Sequence, residues 1–345
     1  MNKTIYNKHN MKYVSCLLLE SGMAFSTSAV KPCNPGSEIY WAREYHGEPF
    51  DIDKFIETRN HYVEMMKKGE IPHQCVGCSQ LQEKEWPDEI GIDYIAIASE
   101  TKCSCNCYYC RFSQDKKKWN SHKGYDVMPI LRALNDRKLL RETTFDIVGG
   151  ECTEYPKEEL EEFIKFAVEN RCWLHFFTSG IFYSESIAYA MNKSRANIVV
   201  SVDSGTKETY EKIKRVKAYD QVWENMARYQ SESIKDKFCR KGYVILKYII
   251  IPGVNDSLEE LKCFAQKAKE VGCEWVWISV EYNWWNENKD NPMPENLWEV
   301  LDYFESCKKD FEIEYVENAI YLWRKRMTQD KNFTGQNPCC DMNAC

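Results

Sequence analysis

From about residue 90 onward, short runs of β-branched and aromatic residues alternate with longer amphipathic stretches. Each short run closes on Gly, Ser or Asn. Six strand and helix units are predicted. Strands are expected over 92–99, 144–149, 173–178, 198–202, 243–251 and 275–280, and helices over 129–140, 156–169, 184–192, 206–229, 258–271 and 294–308. Near-continuous apolar strands joined by helices imply parallel pairing, because each return to the same edge needs a crossover. The fold class that follows is α/β, a partial (β/α)6 barrel with its chemistry on the loops at the carboxyl ends of the strands. The segment over 1–89 differs: it holds Pro32, Pro35, Pro49, Pro72 and Pro87, one predicted helix over 52–68 and four Cys. It is expected to be a Cys-rich N-terminal lobe before a barrel over 90–310. A C-terminal cap over 311–345 would contain a strand at 311–315, a helix at 317–327 and a tail bearing Cys339, Cys340 and Cys345.

Composition narrows the possible functions. With 43% apolar and 29% charged residues the chain can bury a large core, which excludes global disorder. The net charge of -7 argues against general binding of a nucleic-acid backbone. The only apolar run near the start, Val14 to Leu19, ends at Glu20 and is too short for a secretory leader, and no stretch has the length of a membrane span. A cytoplasmic protein with reduced thiols is expected. The 17 Cys then become informative, since a chain of 345 residues needs no disulfide staples to hold its core. Metal or redox use is the better reading. Only six His are present, and neither a His-rich site nor a nucleophilic triad is visible.

Directly after the first barrel strand stands Cys103-Ser-Cys105-Asn-Cys107-Tyr-Tyr109-Cys110. Thiols this dense suit a loop wrapped round a metal group. A zinc site would pair two separated Cys-x2-Cys knuckles, and this loop lacks that pairing. Cys103, Cys107 and Cys110 in Cys-x3-Cys-x2-Cys spacing instead supply three thiolates to a [4Fe-4S] cube and leave one iron open. This motif, after the first strand of a six-unit β/α chain, resembles the radical S-adenosylmethionine (radical SAM) superfamily. Tyr109 matches the family's aromatic near the adenine, and Cys105 is read as a non-ligand.

The resemblance implies roles at later strand ends. Gly149, Gly150 and Glu151 match the family segment that brings bare backbone to the methionine amino group of SAM, although two glycines there also suit a plain tight turn. Ser179 and Ser201 would contact the ribose or the methionine end, against a bland reading as capping residues. Lys214 stands where many members carry an Arg for the SAM carboxylate, and the neighbouring Arg215 could do that work instead. Lys247, a charge inside an apolar strand, needs a partner at the cofactor or substrate. Residues 251–256 resemble the family's adenine-side loop. Cys152 is a candidate hydrogen donor to a substrate radical, weighed against simple packing.

Cys75-Val-Gly-Cys78 is a separate Cys-x2-Cys knuckle, and Cys16 and Cys33 would complete an auxiliary [4Fe-4S] cluster. The tail Cys could contribute as well, and zinc stapling is the alternative. Cys172, Cys239, Cys263, Cys273 and Cys307 fall within periodic elements and read as core. Trp275 and Trp277 alternate along the sixth strand and are expected to pack against helices; Trp284 and Trp285 follow it and could stack a ring. Lys116 to Lys118 reads as a solvated turn or as a landing for a flavodoxin- or ferredoxin-type electron donor.

By resemblance, the chain is an oxidoreductase-type radical SAM enzyme. It would reductively cleave SAM and use the 5'-deoxyadenosyl radical for a net oxidation or other modification of a peptide or sugar-type substrate. The alternative class is a non-catalytic iron-sulfur or zinc protein that carries electrons or assists assembly.

Overall fold

The computed structural model describes residues 12–33, 38–87, 89–99, 102–121, 125–232, 243–288, 291 and 294–315. The elements in chain order begin with β1 (Lys12–Ser15), α1 (Leu17–Ser21), β2 (Gly22–Phe25), β3 (Ala29–Lys31), β4 (Ala42–Arg43), α2 (Ile52–Lys67) and β5 (Gln82–Glu85). Next come β6 (Ile92–Ile97), α3 (Arg111–Gln114), α4 (Lys116–Ser121), α5 (Met128–Asp136), β7 (Leu140–Ile147), α6 (Lys157–Glu169), β8 (Trp173–Thr178), α7 (Glu185–Asn192) and β9 (Ala196–Ser201). The chain continues through α8 (Lys207–Lys214), α9 (Tyr219–Glu232), β10 (Val244–Ile250), α10 (Leu258–Glu270), β11 (Trp275–Val280), α11 (Tyr282–Asn288), α12 (Glu295–Ser306) and β12 (Glu312–Tyr315). The Cys tail, Cys239 and the helix expected over 317–327 lie outside the described residues.

Two compact units divide the chain. One comprises residues 1–200 and 221–244, the other 201–220 and 245–345. In the first unit the strands run in the order β9-β8-β7-β6-β2-β3-β4. β6 through β9 are parallel, β2 joins β6 in parallel, and β3 and β4 continue antiparallel. The segment before residue 90 therefore extends the same sheet through the pairing of Gly22 with Tyr94 and of Phe25 with Ile97. β1 and β5 form a separate antiparallel pair. In the second unit β10, β11 and β12 are parallel. The architecture is mixed α/β with a mostly parallel central sheet, the partial β/α barrel that strand and helix alternation predicts.

Local chemistry explains the element boundaries. Ser184 and Ser257 accept the Ile187 and Glu260 amides and so start α7 and α10. α6 buries Leu160, Phe163, Ile164 and Ala167 on one face and places Glu158 and Glu159 in its first turn, where a helix N-terminus favours anions. The single helix expected over 206–229 is two, because Arg215 adopts a left-handed φ of 54° and closes α8 with its N–H on the Glu211 carbonyl. Among the described residues, no helix is long and apolar enough to cross a membrane.

Candidate functional site

β6 delivers the chain to the cysteine loop at its carboxyl end. Cys103, Cys107 and Cys110 are half-buried, and Cys105 is buried. The Cys105 thiol hydrogen-bonds with Cys103 and with Cys107, and those bonds together with burial hold its proton tightly. Burial also raises Cys110, and the charges of Cys107 and Cys103 add to it. Cys103 and Cys107 thus lie against Cys105, and the Cys110 amide closes a turn on the Cys107 carbonyl at 3.1 Å. Tyr108 and Tyr109 occupy that turn, edge to face at 6.3 Å.

Three contacts outside the motif hold the loop. The Glu151 amide donates to the Lys102 carbonyl at 2.8 Å. Glu154 accepts the Ser104 amide at 2.6 Å. The Lys116 ammonium donates to the carbonyls of Ser104 and Cys105, both at 3.1 Å. Lys116 is therefore a strap on the cysteine loop as well as the first residue of α4, a role that the reading of Lys116 to Lys118 as a solvated run or donor landing missed. Three half-buried thiols on a loop fixed by these contacts suit the thiolate ligation of an iron-sulfur cluster.

The Gly-Gly-Glu turn closes β7 beside this loop. The Val148 and Gly149 amides donate to the Ile97 carbonyl, and Gly150 takes φ +57°, which favours a residue without Cβ. Glu151 is 1% exposed. Its Oε1 accepts from Thr178 Oγ1 at 2.6 Å, Thr153 Oγ1 at 2.7 Å and the Thr153 amide at 3.2 Å, while Oε2 accepts the Ser179 amide at 2.6 Å. This carboxylate ties the end of β7 to the end of β8. Ser179 is half-buried, and its Oγ accepts the Ile181 amide at 3.4 Å. Gly180 has φ +75°, and a Cβ there would meet Met226 at 2.9 Å. Cys152 is 0% exposed, with its thiol donating to the Glu151 carboxylate and to the Phe177 carbonyl, both at 3.8 Å.

The second unit carries Ser201, Lys214 and Lys247. Ser201 ends β9 half-buried. Lys214 is 3% exposed and ion-paired with the fully buried Asp203, whose other oxygen accepts the Ile249 amide at 2.8 Å. Its charge is thus matched within the unit. Lys247 is half-buried on β10, level with Trp277 on β11 and Glu314 on β12. Tyr248 on the opposite face packs on Phe264 of α10 and Phe304 of α12, at 4.9 and 5.5 Å. Alternation along β11 then sets Trp275 and Trp277 on the face away from those helices, which corrects their expected packing. Trp284 and Trp285 lie half-buried in α11, whose start is fixed by Glu281 accepting the Asn283 and Trp284 amides.

The four N-terminal thiols are graded in exposure: Cys16 is buried, Cys33 and Cys75 are half-buried and Cys78 is exposed. Cys172, Cys273 and Cys307 are buried and Cys263 half-buried, as their periodic positions predict. Among the described residues, no three His, Cys, Asp or Glu side chains are grouped closely enough for a single metal ion.

Residues 100–265 match the family model described as the Radical SAM superfamily. Over 198 residues the chain is 23% identical to a UPF0026 protein of Helicobacter pylori (strain ATCC 700392 / 26695), which covers 55% of this chain and 61% of that protein. Among solved structures it is similar to Streptococcus suis SuiB bound to precursor peptide SuiA, at TM-score 0.52 and 11% identity over 88% of this chain and 61% of that one. SuiB bound to S-adenosylmethionine gives TM-score 0.50 and 12% identity over 80% and 57%. The chain thus spans about three-fifths of the length of these relatives. At such identities the structural likeness is one of fold.

Proposed function

We propose, from the premise that this chain carries a radical SAM domain, that it uses a [4Fe-4S] cluster and SAM to modify an unactivated carbon of a peptide. One observation carries the reading: the cysteine loop and the Gly149-Gly150 turn are bonded together through the Glu151 amide and the Lys102 carbonyl. When bound, the cluster and SAM supply one-electron cleavage of the sulfonium to methionine and a 5'-deoxyadenosyl radical that takes hydrogen from substrate. The chain's part is to hold and orient. Cys103, Cys107 and Cys110 would ligate three irons, which leaves the fourth for the amino and carboxylate groups of SAM. Lys116 and Glu154 fix the loop, Gly149 and Gly150 offer backbone without Cβ, and Glu151 sets the Thr178-Ser179 turn. Lys247, whose charge has no partner among the described residues of its unit, would receive an anionic group of cofactor or substrate. Lys214 is the weaker candidate for that task because Asp203 already neutralises it.

The peptide reading is supported by the fold likeness to SuiB, which has been crystallised with a precursor peptide. A flavodoxin- or ferredoxin-type protein is the proposed electron source. Anaerobically reconstituted protein with dithionite and SAM should form 5'-deoxyadenosine, and Cys103→Ala, Cys107→Ala and Cys110→Ala should each abolish it. Absence of that product from iron-loaded protein would overturn the reading.

A further inference from the structure

Four cysteines outside the barrel loop are drawn together by the pairing of three short segments. β1 runs antiparallel to β5 with Ser15 opposite Gln82, so Cys16, one residue on, lies beside Leu81 and close to Cys78. The Leu81 amide bonds back to the Cys78 carbonyl, and the Cys78 amide to the Cys75 carbonyl at 3.1 Å. Gly77, at φ +75° with open space beyond it, allows the tight knuckle between those two thiols. β3 runs antiparallel to β2 with Ala24 opposite Lys31, so continuation of that register carries Cys33 to the level of Gly22. Gly22 follows α1 directly and packs so closely on it that a Cβ would meet the Leu18 carbonyl oxygen at 2.6 Å. Cys16 caps the other end of α1, with its sulfur accepting the Leu19 amide at 3.3 Å.

Cys16, Cys75 and Cys78 are thus near neighbours through the pairing of β1 with β5 and the turn that follows Cys75, and Cys33 reaches the same segment through the pairing of β3 with β2. The frame behind them is rigid: Glu20 of α1, 2% exposed, accepts from Tyr13 at 2.7 Å and from the Arg59 guanidinium at 2.9 Å.

We infer that Cys16, Cys33, Cys75 and Cys78 form a second site that takes a [4Fe-4S] cluster with all four irons ligated by the chain. A lone zinc with bonds near 2.3 Å would bring its sulfurs to about 3.8 Å from one another. A cube spreads its thiolates over four separate irons, and these four cysteines supply one thiolate for each. Full ligation bars this site from holding SAM or substrate and fits it for one-electron exchange. None of its four ligands belongs to the Cys103 to Cys110 loop.

The full chain with Cys103→Ala, Cys107→Ala and Cys110→Ala combined isolates the site. Reconstituted anaerobically with ferrous iron and sulfide, this variant should hold about four iron and about four sulfide per chain, against about eight of each for the unaltered protein. It should also give an electron paramagnetic resonance signal on reduction. Adding Cys75→Ser and Cys78→Ser should remove that iron and the signal while the far-ultraviolet circular dichroism is kept. An isolating variant that keeps its circular dichroism but binds no iron, or that is purified with one zinc in place of iron, would overturn the inference. Iron retained by this variant beside an unaltered protein that cannot cleave SAM would uphold the second site and overturn only the proposed function.

Discussion

Replacement of Glu151 by Gln tests whether a buried carboxylate organises the cofactor end of the first unit. The side chain accepts four hydrogen bonds from nitrogen and oxygen donors and a fifth from the Cys152 thiol, and donates none; two of the five come from the backbone amides of Thr153 and Ser179. Gln keeps the shape but turns one acceptor into an NH2 group. In one orientation that group faces the Ser179 amide, and in the other the Thr153 amide, so an N–H meets an N–H either way. A buried donor left unsatisfied costs about 1–3 kcal/mol, and the surviving bonds lose the strengthening that an ionised acceptor gives. A total of about 2–4 kcal/mol is expected, which lowers the folded-to-unfolded ratio by between one and three powers of ten. Urea unfolding of the metal-free protein, followed by far-ultraviolet circular dichroism, reads this directly and needs no cofactor. A Glu151→Gln protein within about 0.5 kcal/mol of the parent would refute the account, since that is the range of an indifferent surface change. SAM cleavage by the reconstituted variant should fall as well, because the Thr178-Ser179 turn loses its anchor.

Arg59→Met should destabilise by about 3–5 kcal/mol in the same urea assay, because it leaves the buried Glu20 carboxylate without its counter-charge. The double replacement Glu20→Met with Arg59→Met should recover most of that loss, and a double variant no better than the single would contradict the ion-pair account. Gly205→Ala should abolish soluble expression or lower the thermal midpoint steeply, since the new Cβ would fall 1.9 Å from the Glu260 carbonyl oxygen and 2.6 Å from the Phe264 nitrogen. Cys172 carries a pH signature: burial raises its thiol to about 11, so the folded state keeps a proton that the unfolded state has released. Its stabilising contribution is complete below the ordinary thiol range and is lost as pH rises through about 11. Cys172→Ala should therefore flatten the alkaline fall in stability, measured as the slope of unfolding free energy against pH.

The barrel was legible because its signals are local and repeated. β8 and β11 begin and end where alternation and the flanking turn residues put them, and α6, α7 and α10 differ from their expected bounds by a residue. The cysteine loop and the Gly-Gly-Glu turn were readable from spacing and from position after a strand. The contacts that hold them were not, since Lys116, Glu154, Thr153 and Thr178 are ordinary polar residues that matter only through what they face. A Thr-Ser-Gly strand end next to a buried Glu is a retrospective signal at best. β1 to β5 escaped notice because strands of two to four residues carry too little periodicity. The face of Trp277 was misassigned because alternation shows which residues share a side of a strand but not which side the helices cover.

One consequence concerns the outer border of the first unit's sheet. β4 is only two residues long, and it ends the series there. Lys31 and Arg43 both approach the ring of Tyr40, at 4.7 and 3.9 Å, so two cations crowd the final strands. A stub that short, guarded by like charges, offers a neighbouring molecule almost no free backbone on which to template. Concentrated preparations should therefore resist zipping together along this margin, even though β2, two strands in, is buried along its whole length.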